Sequence, residues 1–156
     1  MPKIDPLILR ASVVDVKFGN NVKYVEPVNL YGCTIGENCF IGPFTEIQKS
    51  VTIGSNCKIQ SHTFICELVK IGNNCFIGHG VMFVNDTFST GGPAGGDKMK
   101  WKAVQIGNNV SIGSGVTILP VTICDNVVIG AGAVVSKNIR KPGIYAGVPA
   151  KLLRNL

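Results

Sequence analysis

Residues 35–83 read IGENCFIGPFTEIQKSVTIGSNCKIQSHTFICELVKIGNNCFIGHGVMF, with Ile35, Ile41, Ile47, Ile53, Ile59, Ile65, Ile71, Ile77 and Phe83 six residues apart throughout. A two-residue strand period returns position six to the same face, whereas a helix of about 3.6 residues per turn would scatter these side chains around its axis. Units this short bury nothing alone, so they must stack as turns of a β-solenoid in which each covers its neighbours. The register extends upstream through Phe18, Tyr24 and Leu30 and downstream through Ile106, Ile112, Ile118, Ile123, Ile129 and Val135. Two steps, Leu30 to Ile35 and Ile118 to Ile123, span five residues and predict tighter corners. The fifth position of each unit is small or β-branched, as at Cys39, Thr45, Cys57, Thr63, Cys75, Val81, Val110 and Val116, and is expected to point inward. The Gly or Asn between these inward residues is expected to supply positive φ at the corners.

Composition fits one compact domain over residues 1–156: 46% apolar, 15% charged, with 19 glycines. No apolar run reaches the roughly 18 residues of a membrane span, and the opening MPKIDPLILRAS is too weakly apolar for an export signal, so a cytoplasmic location is expected. The net charge of +6 suits anionic small molecules. Nucleic acid is not expected as a partner, because the positive residues are dispersed apart from Lys98, Lys100 and Lys102 and no binding motif is present. The six cysteines include no C-x-x-C pair, which argues against zinc, and Cys66 and Cys124 stand where glycine is usual without an evident role. Residues 89–102 (STGGPAGGDKMKWK) break the repeat once, and such an excursion from a regular solenoid is expected to be functional.

In IGENCF, IGSNCK, IGNNCF, IGNNVS and IGAGAV the chain resembles the hexapeptide-repeat acyltransferases over roughly residues 18–151. The resemblance implies an all-β left-handed parallel β-helix of about six triangular coils, three units per coil, with one extended loop and a short C-terminal tail or helix. Residues 1–17 would form an N-terminal cap, 18–88 and 103–141 the helix, 89–102 the loop, and 142–156 a segment beside coenzyme A. With three units per coil, Cys39, Cys57 and Cys75 make a buried packing column. Glu67 and Asn85, 18 residues apart, stack on adjacent turns, with Asp86 at the loop's root. His79 falls on the neighbouring face with Ser114 one turn above and His62 near the corner one turn below. These polar groups are expected to gather where the loop departs. Asn85-Asp86 also has a plainer reading as the turn that opens the loop, and His62 as a packed corner residue.

The string IQSHTFICELV followed by IGHGVMFVNDTF is similar to the subgroup that N-acetylates amino sugars on nucleotide diphosphates. That similarity implies acetyl transfer from acetyl-CoA to the 3-amino group of a dTDP- or UDP-linked deoxyhexose in surface-polysaccharide biosynthesis. Asn85 would hold the reacting groups, Glu67 and Asp86 would attract the ammonium, His62 would lie by the substrate, and His79 would be the candidate base. The segment IYAGVPAKLLRNL resembles the family's carboxy-terminal signature. It implies coenzyme A beside Ala146 and Gly147, with Lys151 and Arg154 at its phosphates and Gly113, Ser114, Ala131 and Gly132 along its pantetheine arm. The family also implies a homotrimer with sites between subunits and no metal. Competing readings are an O-acetyltransferase of a small sugar or antibiotic and a non-catalytic scaffold. A trimeric zinc hydratase is disfavoured because only two histidines exist.

Overall fold

The fold is seen in a computed structural model that describes residues 7–156. Three walls of short strands coil into a triangular prism, the left-handed parallel β-helix. The first wall stacks Val13–Val14, Asn29–Tyr31, Glu46–Ile47, Phe64–Ile65, Met82–Phe83, Thr117–Ile118 and Val134–Val135. The second stacks Lys17–Phe18, Thr34–Ile35, Thr52–Ile53, Val69–Ile71, Val104–Ile106 and Thr122–Ile123. The third runs from Lys23–Tyr24 through Phe40–Ile41, Lys58–Ile59, Phe76–Ile77, Ser111–Ile112 and Val127–Ile129 to Gly143–Ala146. Each rung is a pair of inter-turn amide bonds, such as Lys58 N–H to the Cys75 carbonyl and Gln60 N–H to the Ile77 carbonyl, both 2.9 Å.

Leading residues fill the prism: Ile41, Ile47, Ile59, Ile65, Ile77, Ile112 and Ile118 are wholly buried. Cys39, Cys57 and Cys75 form the expected inward column, with Cys57 N–H and Cys75 N–H each 3.4 Å from the sulfur one turn below. All three are free thiols. Cys66 also joins the core, where burial pushes its thiol up to about 12, so it packs rather than reacts.

The structure amends the sequence reading at three places. Val13–Val14 already pairs in parallel with Leu30–Tyr31, so the coil starts before Phe18 and makes seven turns rather than about six; of the rest of the expected cap, residues 7–12 are irregular and exposed, and residues 1–6 lie outside the described residues. The tail is not helical: Lys151–Arg154 folds back antiparallel on Gly143–Ala146. Gly and Asn also divide the corner work differently from the expectation. Positive φ belongs to the fourth position of each unit, as at Asn38, Asn56, Asn74, Asn109 and Gly80. Second-position glycines serve close approach instead: a Cβ on Gly78 would lie 2.7 Å from backbone atoms of Gly113 and Ser114. The fourth-position asparagines make a side-chain ladder up the second-to-third corner, with Asn21–Asn38 at 3.1 Å and Asn109–Asn126 at 3.1 Å.

These two glycine roles separate experimentally. Gly78→Ala must push two turns apart and is expected to cost about 3 kcal/mol, or roughly 6–12 °C in a thermal melt. Gly80→Ala, whose Cβ meets nothing within 4 Å, costs only the left-handed backbone term of about 1 kcal/mol. Equal melting shifts for the two variants would contradict the close-approach explanation.

Candidate functional site

The first-to-second corner carries the loop. Strand Phe64–Ile65 delivers Glu67 to this corner and strand Met82–Phe83 delivers Asn85 one turn above it. Asn85 Nδ2 donates to the Glu67 carbonyl at 3.1 Å, so the two residues stack as their spacing implied. Here the chain leaves the coil, and Lys102 N–H closes the loop's root on the Asn85 carbonyl at 2.9 Å. Asp86 is occupied within the loop: its two carboxylate oxygens accept from Phe88 N–H at 2.9 Å and Ala94 N–H at 2.7 Å. These contacts, Ala94 foremost, hold its carboxyl below the ordinary value. Asp86 therefore organises the loop, the plainer of its two readings.

The Glu67 carboxylate is nearly covered, its side chain 13% exposed, and it meets Lys98 from the loop at 2.8 and 3.1 Å. Lys98 lies in a short 3-10 turn, Lys98–Lys100, capped by Asp97, and its ammonium sits 5.3 Å from the Trp101 ring centroid. Beneath Glu67 a polar chain descends the wall. Gln48 Oε1 accepts from Glu67 N–H at 3.3 Å, Gln48 Nε2 donates to Glu46 at 2.9 Å, and Tyr31 Oη approaches Glu46 at 3.5 Å. Burial and then the Glu46 charge raise the Tyr31 phenol above its ordinary value. Sequence reasoning passed over Tyr31, Glu46, Gln48 and the Lys98–Glu67 pair. Adding the coil period to Tyr31 would have reached Gln48, since the register aligns Asn29 with Glu46.

The histidines are elsewhere. His62 and His79 occupy the third-to-first corner, at the opposite edge of the first wall from Glu67, Asn85 and Asp86. About six residues of extended chain, roughly 20 Å, separate His79 from Asn85. The expected gathering of all five residues at the loop's departure is thus corrected: leading residues six apart lie on different walls, so side chains just after Ile77 and just after Phe83 emerge at different corners. His79 Nδ1 is 2.8 Å from Ser61 Oγ, its neighbour one turn below. His62, at φ 61°, stacks on Phe44 with ring centroids 4.8 Å apart.

Above these histidines the same corner loses its side chains. Gly80, Gly115 and Gly132 follow His62 up the positive-φ column, and open space lies where each Cβ would be. Beside them run His79, Ser114 and Ala131, tied by Gly115 N–H to the His79 carbonyl at 2.8 Å and Gly132 N–H to the Ser114 carbonyl at 2.9 Å. Gly113 continues this corner, and Ala146 caps Gly130 one turn higher. Val134 N–H reaches the Gly147 carbonyl at 3.1 Å. Lys151 pairs with Ala146 across the terminal hairpin and Arg154 with Ile144, both side chains exposed. Gly113, Ser114, Ala131, Gly132, Ala146, Gly147 and Lys151 therefore share one corner with His79, whereas Arg154 lies back along the third wall beside Ile144.

Two family models match the chain, bacterial transferase hexapeptide (six repeats) at residues 32–67 and hexapeptide repeat of succinyl-transferase at residues 68–82 and 103–137, together more than half its length. Among solved structures, a variant of AntD, an N-acyltransferase from Bacillus cereus in complex with dTDP and coenzyme A, superposes with a TM-score of 0.79 at 25% identity over 89% of this chain and 83% of that one. PerB from Caulobacter crescentus, in complex with CoA and GDP-perosamine, shares the fold at a TM-score of 0.61 and 18% identity, covering 91% of this chain and 57% of that one. Galactoside O-acetyltransferase of Escherichia coli (strain K12) is 46% identical over 54 residues, 34% of this chain and 27% of that protein. The chain thus spans little more than a quarter of that curated relative.

Asp86→Ala removes the two amide contacts that Asp86 makes within the loop while leaving the Lys98–Glu67 pair and the Lys102–Asn85 root bond, and trypsin is expected to cut at Lys98, Lys100 and Lys102 on the order of tenfold faster than in the unsubstituted chain. Because its folded-state carboxyl is depressed, the Asp86 restraint is present above the ordinary value of 3.8 and lost as pH falls through the lower folded value. Emission from Trp101, the single tryptophan, should stay constant from pH 8 to about 5 and change only below about 4. A change centred near pH 6 would show that the emission does not report the Asp86 restraint.

Proposed function

From the premise that this chain belongs to the hexapeptide-repeat acyltransferase family, we propose that it is an acetyl-CoA-dependent N-acetyltransferase acting on the 3-amino group of a dTDP- or UDP-linked amino deoxyhexose in surface-polysaccharide biosynthesis. The observation that carries the amine acceptor is Glu67, a nearly covered carboxylate stacked with Asn85 at the loop's root and already holding a primary ammonium group. The likeness to an N-acyltransferase bound to dTDP and coenzyme A supports the same reading.

The column over Gly80, Gly115 and Gly132 gives the donor's pantetheine arm a track, since these three positions carry no side chain and open space lies where each Cβ would be. Gly113, Ser114 and Ala131 flank it, Ala146 and Gly147 close its upper end, and Lys151 and Arg154 supply cations for phosphate. The thioester end then falls by His79, with His62 below. Glu67 and Asn85 stand at the other edge of the same wall. A donor on one edge reaches an acceptor on the other only if a neighbouring copy brings its loop corner against this groove, so we assign the active sites to the seams between subunits and take the homotrimer from the family resemblance.

Chemically, the amine nitrogen attacks the thioester carbonyl, the C–N bond forms, the C–S bond breaks, and the proton passes to the departing thiolate directly or through a base. An amine with a pKa about one unit above neutral is already on the order of one tenth free base at pH 7, so alignment contributes more than deprotonation. Glu67 orients the ammonium, and Asn85 hydrogen-bonds the substrate or the developing oxyanion. His79 acts as base at Nε2 when its Nδ1–H donates to Ser61 Oγ. Asp86, committed to the loop's amides, shapes the site from behind.

Acetyl-CoA consumption should require an amino-sugar nucleotide and fall to background with the hydroxyl counterpart. Consumption with the hydroxyl compound alone would instead establish an O-acetyltransferase, the reading favoured by the local match to galactoside O-acetyltransferase. In the same assay His79→Ala should lower kcat by roughly 10²-fold, and near-normal turnover would remove it from the mechanism.

A further inference from the structure

The Lys98–Glu67 pair sits on the spot that the proposed reaction needs for its acceptor. Glu67 is largely withdrawn from solvent, and a covered carboxylate is not left without a cation. Lys98 supplies one from outside the coil: its side chain is half exposed, and it rides on a three-residue turn of the loop rather than on a wall. Both carboxylate oxygens are engaged by its single nitrogen, and Trp101 adds an aromatic neighbour 5.3 Å away. A carboxylate and an indole ring around one primary ammonium make a recognition site for that group in general. A sugar's ammonium carries the same three donors and the same charge as the lysine side chain.

We infer that Lys98 is a resident stand-in for the acceptor's ammonium group, holding Glu67 and the loop in place until an amino sugar exchanges with it. This rests on the reading of Glu67 as the amine-orienting carboxylate and adds how the site excludes other acceptors. A sugar with a hydroxyl at that position offers no charge to replace Lys98, so the loop stays latched. An amino sugar satisfies Glu67 as well as the lysine does, and exchange leaves no unpaired buried charge. Selectivity for amine over hydroxyl then arises from competition with a tethered cation as well as from direct contact.

The test uses the full chain and its single tryptophan, Trp101, as reporter. Glucosamine is titrated against the unsubstituted protein and against Lys98→Gln, with glucose as the uncharged control. Removing the competitor should tighten glucosamine binding by about threefold to tenfold, leave glucose without effect, and lose the gain again in Lys98→Gln combined with Glu67→Gln. Lys98→Met, which keeps the apolar stem, should behave like Lys98→Gln. Equal or weaker glucosamine binding by both single variants, or no glucosamine-dependent emission change in them, overturns the inference. The outcome is separable from the acetyl-transfer assay on the unsubstituted protein. Failure of transfer with every amino-sugar nucleotide would sink the proposed reaction while leaving the glucosamine exchange intact, and failure of exchange would leave transfer untouched.

Discussion

Everything in this molecule depends on the backbone hydrogen bonds that tie each turn to the one above it. They hold parallel strands in a register that advances by 17 residues from Lys17 to Thr34, by 18 from Lys58 to Phe76, and by 35 where the loop is inserted between Phe76 and Ser111. Side chains from successive turns therefore form columns, and a residue's column decides its surroundings more than its neighbours in sequence do. The loop respects this rule by leaving and returning at one point, so the wall above it resumes as if nothing intervened.

Columns explain how a chain with little charge and few titratable side chains assembles two different polar edges. At the first-to-second corner, Tyr31, Glu46, Gln48, Glu67 and Asn85 rise as one hydrogen-bonded chain into the loop. At the third-to-first corner the column over Phe44 and His62 gives way to three glycines, which turns a packed edge into an open groove beside His79 and Ser114. One edge offers a carboxylate and amide suited to an amine. The other offers backbone and a histidine suited to a thioester arm. The proposed chemistry is a statement that these edges meet across copies.

Much of the coil was legible because the six-residue period is a direct image of the prism: a leading isoleucine for each wall, an inward small residue, and the same spacing that stacked Cys39 on Cys57 and Glu67 under Asn85. The first strand, Val13–Val14, escaped because its unit lacks the glycine and the isoleucine that mark the others. The histidine placement failed for a geometric reason. Residues six apart share a role in the repeat yet stand on different walls, so His79 and Asn85 were drawn together although a whole strand lies between them. The Lys98–Glu67 pair was invisible because an irregular loop has no register from which a partner can be counted.

The central claim, that the reactive centre is shared between two copies, is tested most directly by mixing subunits. His79→Ala and Glu67→Gln chains are each purified, unfolded, combined in equal amounts, refolded together and assayed for acetyl transfer to an amino-sugar nucleotide. Random assembly puts an intact His79 edge against an intact Glu67 edge at roughly a quarter of the interfaces, and the account expects activity near that fraction of the unsubstituted enzyme. Activity no higher than the sum of the two separately refolded variants would contradict it and place both residues' work within a single chain.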